Sequence, residues 1–431
     1  MGLESLDITS TRLYAERGYP WPAWDTLRRE APVYRYETPD HDPFWAVTRH
    51  ADVLTVSRRS DVFVNSGRLR IFSKLEDHMM REGSRGRAAA FGWDVDEPLD
   101  MVFMDDPRHR EFRSLTAPAF TPGVLRKLED RMGALARQFA GELETELRAD
   151  AEQGRATNLV TAFSTKLPQA IICEMLGLPG GDWPKLLQWT NALVGAADDE
   201  FLEPGEEPIL AAARAVDLLR DYFLAWIEGC RRDGVAGHGL STALLDGRVA
   251  GAALTEQQLQ GYFTLILAAG SETARNAATG GVHALLEHPS ELERLVRDPS
   301  LLGSAVEEIL RWTSPVIQFA RTAVTDFELS GVRIRAGEDV AMFYPSANRD
   351  EAVFPEPYRF DVARSPNYHL AFGHGAHFCL GSNLARQELR AMLAALLPLL
   401  PELELAGRPE LVPHLHVGGI KKLLVRHSPR H

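Results

Sequence analysis

The chain predicts one large domain, mainly α-helical with a small β part, spanning residues 1–431. Three observations carry that expectation. Thr255-Glu256-Gln257-Gln258 fits a capping box, and the helical pattern behind it runs to His288-Pro289. At ~1.5 Å per residue this helix is about 50 Å long, enough to cross the molecule. Residues 124–232 read as mostly helical, whereas strand-like runs are few, short and aromatic or β-branched. No internal repeat, low-complexity tract or linker divides the chain.

Composition narrows the class. Hydrophobic content of 45% supplies a real core, and a net charge of −13 argues against nucleic acid or an anionic membrane as partner. Cys173, Cys230 and Cys379 lack metal-type spacing, and such sparse cysteine suits a reducing cytoplasm. Met1–Leu13 has no apolar run or basic leader, and no window of about 18 apolar residues occurs, so no membrane anchor is expected.

In chain order, Pro20 and Pro22 delay the first continuous helix to Ala23–Glu30, closed by Ala31-Pro32. Val33–Tyr36 and Phe44–Thr48 read as strands, and His50 opens the next helix. Residues 66–104 show no clean period and read as an irregular segment, either mobile or a binding loop. Asp105-Asp106-Pro107 starts a helix with acids in its first turn. On it His109 and Arg113 share a face that suits a carboxylate; with Arg108 and Arg110 alongside, it also reads as solvated basic surface. Helix breaks fall at 177–181 and at Glu203-Pro204-Gly205, the second inside a stretch around 198–208 that reads equally as a candidate lid or an ordinary solvated connection.

Midway along the longest helix, Ala269, Gly270 and Thr273 share one face with little side-chain bulk. The Thr273 hydroxyl can bond the carbonyl of Ala269 and loosen the helix there. Glu272 lies about 100° round, away from that groove and towards solvent; an acid beside an alcohol can relay protons. Packing of small residues explains the same pattern. Glu308 and Arg311 form an i,i+3 pair. Val316–Arg321 reads as a strand whose Val316 and Ile317 face either a ligand or the core, and Phe327–Leu329 with Val332–Ile334 suggests a hairpin turned at Ser330-Gly331.

The most specific stretch is Phe372-Gly373-His374-Gly375-Ala376-His377-Phe378-Cys379-Leu380-Gly381, which opens a helical run from Asn383 to Leu397. Gly373 and Gly375 permit sharp turns, and Gly381 lets backbone approach a flat ligand. A cysteine beside unpaired helix N–H groups is biased towards thiolate, and a thiolate suits a haem iron. The stretch resembles the haem-binding loop of the cytochrome P450 family, F-G-x-G-x-[HR]-x-C-x-G, at every fixed position.

The resemblance implies much more. It makes Cys379 the axial ligand of haem b and places His109, Arg113, Arg321 and His377 at the propionates. Phe372, Ala269, Gly270 and Gly381 then border the macrocycle. Ala269–Thr273 resembles A-G-x-[DE]-T, in which Glu272 and Thr273 deliver protons to bound dioxygen; Ala274 departs from relatives with a second Thr or Ser. Arg359, in Pro357-Tyr358-Arg359-Phe360, resembles the arginine that joins Glu308 and Arg311 in a structural network. Val316, Ile317 and the turn Leu415–Ile420 would meet substrate, and 66–104 would lie over the pocket. The implied activity is a monooxygenase hydroxylating a hydrophobic small molecule with dioxygen. Its electrons come from a ferredoxin and ferredoxin reductase, since no flavin or nicotinamide fingerprint is present. Phe44-Trp45-Ala46 and Met342-Phe343-Tyr344 are similar to relatives acting on sterol side chains, terpenoids and branched lipids. Alternatives are a polyketide or secondary-metabolite tailoring oxidase, a peroxide-driven haem enzyme, and a haem sensor or electron carrier.

Overall fold

A computed structural model describes residues 2–194, 208–233 and 239–428. Its axis is the helix Glu256–Glu287. Both halves of the capping box form: Gln258 N–H donates to Thr255 Oγ1, and Thr255 N–H donates to Gln258 Oε1. Leu259, Phe263, Leu267, Ala277 and Leu285 bury it against helices on several sides, Lys166–Leu176, Pro208–Asp233, Leu302–Thr313 and Ser382–Leu396 among them. A helix apolar nearly all round belongs in a core.

The small β part is a five-stranded sheet in the order Val33–Thr38, His41–Val47, Asp339–Phe343, Gln318–Ala323, Phe63–Val64. Only the pairing of Asp339–Phe343 with His41–Val47 is parallel. Trp24, Phe44 and Phe343 pack together in one cluster and Val47, Phe63 and Val340 in another. The hairpin at Phe327–Ile334 is present, with Ser330 and Gly331 at positive φ, as a two-residue turn requires.

Several expected boundaries move. The first proline-bearing helix starts at Trp21, because Pro22 in the first turn loses no intrahelical bond. The helix carrying His109 is Arg108–Thr116; the Asp105 carboxylate instead accepts the N–H groups of Asn65 and Ser66. The stretch 66–104 is not irregular throughout. Lys74–Phe91 is an 18-residue helix with a complete capping box between Ser73 and Glu76. It escapes a periodicity reading because Ala88 is its one buried residue. The candidate lid at 198–208 lies, but for its last residue, outside the described residues. Among the described residues no helix is long and apolar enough to cross a membrane.

The helix Ser382–Leu396 carries an anomaly: Glu388 is 1% exposed, and its Oε1 has no partner. Burial pushes its carboxyl up to about 8. A raised carboxyl contributes its stability below the unfolded pKa near 4.5 and loses it as pH climbs through about 8. Between pH 5 and 8.5 the wild-type Tm should therefore fall by several degrees more than that of Glu388→Gln. Parallel thermal melts check this, and identical slopes would refute it.

Candidate active site

The cysteine loop is built as its glycines dictate. Gly373 and Gly375 adopt φ of +67° and +76°. A β-carbon on Gly375 would collide with the carbonyl of Ser57, so the loop closes tightly over the helix His50–Arg58. Cys379 N–H donates to Phe372 O at 2.9 Å, which folds the loop back on itself. Gly381 caps the following helix, and a β-carbon there would meet nothing within 4 Å. Cys379 itself is partly open, whereas Cys173 and Cys230 are buried.

The expected bias towards thiolate is not achieved by protein groups alone. Burial raises the Cys379 thiol, outweighing the N–H of Gly381 and the charges of Arg113 and Arg386. A metal cation reverses that balance, since a coordinating thiol is deprotonated outright.

Four nitrogen-bearing side chains converge beside the loop. The rings of His109 and His377 stack at 3.8 Å between centroids. Both imidazoles are held neutral, first by burial and then by the charges of Arg113 and Arg321 respectively. Arg113 donates to Phe378 O at 2.6 Å. Arg321 is 6% exposed and donates to the Ala320 carbonyl at 2.7 Å. Asp106 Oδ1 lies 3.6 Å from His109 Nδ1 and Asp105 acts on His109 and Arg321 through charge, but neither Arg113 nor Arg321 is bonded to an acid. A buried guanidinium with no bonded acid, as in Arg321, is costly, and with the half-buried Arg113 beside it the cluster suits an anion from outside the chain.

The long helix has an opened face of its own. Ala269 is exposed and Thr273 partly so, between turns that are otherwise buried. Thr273 Oγ1 donates to Ala269 O at 3.0 Å, as the spacing predicts. Gly270 departs from expectation. A β-carbon there would lie 2.8 Å from Ile172, so its small size admits a neighbouring helix rather than a ligand.

Glu272 also departs. It is 2% exposed, not solvated, and lies 2.5 Å from Arg275 Nη2. It borders a cavity of about 440 Å³ behind the helix, with Gln169, Asn191, Arg275 and Asn276. Burial raises its carboxyl despite Arg275.

Glu308 and Arg311 form a bidentate pair with both side chains at 0% exposure. The expected third member is wrong. Arg359 is exposed and pairs with Glu356, contributing only its carbonyl to Arg311. Arg364 takes the place, with Nε 3.2 Å from both Glu308 oxygens. The chain turns between these arginines, so proximity to a motif misled the reading. A second support was missed: Arg386 binds both oxygens of Glu307, which also receives His369. Its signal was the paired acids Glu307-Glu308 facing a cation one turn into the last long helix. Arg364→Ala should cost about 2–3 kcal/mol and much of the cofactor retention, because it strips a donor from a buried carboxylate. Arg359→Ala should match wild type in the same melts and haem-content assay; equal effects would refute the assignment.

Val316 is half-buried and bridges Val417, at the open edge of the site. Ile317, expected beside it, is 0% exposed in the core with Ile8, Trp24 and Phe343, so packing withdraws it from any ligand.

A partly open cysteine in a tight loop, two arginines beside it with no bonded acid, and an exposed small-residue face on the longest helix suit a flat dianionic macrocycle with a metal centre. That fit defines the haem-thiolate class. Comparison with known proteins agrees. The family model "Cytochrome P450" matches residues 49–400. A methyl-branched lipid omega-hydroxylase of Mycobacterium tuberculosis is 36% identical, over 94% of this chain and 90% of that protein. A steroid C26-monooxygenase of the same organism is 34% identical, over 98% and 93%. A solved Mycobacterium marinum cytochrome P450, CYP268A2, in complex with pseudoionone, superposes with a TM-score of 0.85 at 32% identity, covering 98% of each chain. The chain belongs to the cytochrome P450 family, and with it to the haem-dependent monooxygenases.

Proposed function

We propose that this chain hydroxylates a hydrophobic, lipid- or sterol-like molecule. It would do so in the cytoplasm, with dioxygen and two electrons from a ferredoxin and its reductase. Haem, when bound, supplies dioxygen activation, one oxygen atom entering a C–H bond and the other leaving as water. The chain's own residues do the rest. Cys379 Sγ would hold the iron. Arg113, Arg321, His109 and His377 would hold the propionates, as their convergence with no acid bonded to either arginine supports. The open face at Ala269 leaves room beside the metal, and the Thr273 hydroxyl there can hold and pass a proton. Val316, beside Val417, would contact substrate. Glu308, Arg311 and Arg364 keep the loop rigid.

The observation that carries this reading is the cationic cluster beside Cys379. The test is a panel of branched fatty acids, sterols and terpenes added to the haem-loaded protein. At least one should shift the haem spectrum towards high spin and give a hydroxylated product with a ferredoxin system. A panel with neither shift nor product would overturn the reading.

A further inference from the structure

A second cation with no bonded acid lies beside the strand that carries Arg321. Arg70 is largely enclosed by the protein but keeps some accessible surface. Its Nε has no partner, and among the described residues its guanidinium makes no hydrogen bond or ion pair. The one close contact is the ring of Phe72, 4.3 Å from Cζ. The acids nearest in charge are engaged elsewhere. Asp100 accepts Val102 N–H, and Glu76 caps its own helix through Ser73.

The surrounding groups are donors as well. Gln318 is 0% exposed; its Oε1 accepts Ile71 N–H, which leaves Nε2 without a partner. His414 Nδ1 accepts the N–H groups of His416 and Val417, so its proton sits on Nε2. His416 is turned by its contact with Gln318 O at 2.7 Å. Burial and the charge of Arg70 keep both rings neutral.

Position ties this cluster to the site. Leu69 O accepts Ala320 N–H, so Arg70 runs beside the strand Gln318–Ala323. Phe319 lies between the two cation sites, 4.9 Å from the His416 ring and 5.9 Å from Arg321 Cζ. Val316 and Val417 form the adjoining wall.

We infer that Arg70, with Gln318 Nε2 and His414, binds the carboxylate of an amphipathic acid whose apolar body lies in the site. A planar guanidinium matches a carboxylate in two-point fashion, and an anion there would give Arg70 the bonded partner that Asp100 and Glu76, acting only through charge, do not supply. The substrate class is thus a lipid-like carboxylic acid rather than a neutral sterol or alcohol. This assignment rests on the monooxygenase reading for the role of the acid, but not for its binding.

The test is equilibrium dialysis of the haem-loaded protein against two matched pairs, dodecanoic acid with 1-dodecanol and citronellic acid with citronellol. Wild type should bind at least one acid about tenfold more tightly than its alcohol. Arg70→Leu should abolish that preference and Arg70→Lys should keep part of it, both with unchanged haem content. Equal affinities in wild type, a preference that survives Arg70→Leu, or no binding of either acid would overturn the site. Haem loss in Arg70→Leu would also overturn it, by making Arg70 a propionate ligand. An Arg70-dependent preference without product formation would leave the site standing and count against the monooxygenase reading alone.

Discussion

Serine in place of Cys379 should abolish the thiolate-type absorption band of the reduced, carbon-monoxide-treated protein, and product formation should fall to background. Cys379 is the one cysteine that is not buried, at a loop closed by Gly373, Gly375 and its own bond to Phe372. A serine hydroxyl fits the space but is neither soft nor readily deprotonated, so the electron donation that favours O–O cleavage disappears. Histidine at the same place should bind iron with a nitrogen-type spectrum and no monooxygenation. Cys173→Ser, deep in the core, should change stability only. An unchanged band in Cys379→Ser would remove the assignment.

The second large effect is expected at Thr273. Thr273→Ala should bind substrate and accept electrons nearly as wild type does, because it deletes one uncharged hydroxyl. Without the hydroxyl on the open face, the chain would no longer hold and direct a proton there, and most reducing equivalents should leave as peroxide. Glu272→Gln should behave differently. It keeps its volume but cannot titrate, and it sits on the other face beside Arg275 and the rear cavity. Turnover should fall about 10²-fold with coupling largely kept. The measurement is product per reducing equivalent consumed, with peroxide counted in parallel. Wild-type rate and coupling in Thr273→Ala would reduce the motif to a packing groove.

The sequence by itself determined whatever depends on backbone a few residues long. The loop around Cys379, the capping box at Thr255, the Thr273–Ala269 bond and the Glu308–Arg311 pair all stand where spacing put them. Each is a local contact set by helix or turn geometry, which any fold must respect. The tertiary structure decided what such contacts then face. It chose Arg364 over Arg359 for Glu308, because a chain reversal brings the later residue back to the carboxylate. It turned Gly270 towards Ile172, sank Ile317 among aromatic rings, and buried Glu272 against Arg275. It also made a helix of Lys74–Phe91, whose period was invisible because so little of it is buried. Side-chain direction follows from the helix; the neighbour waiting in that direction follows only from how distant segments pack, and no local spacing encodes it.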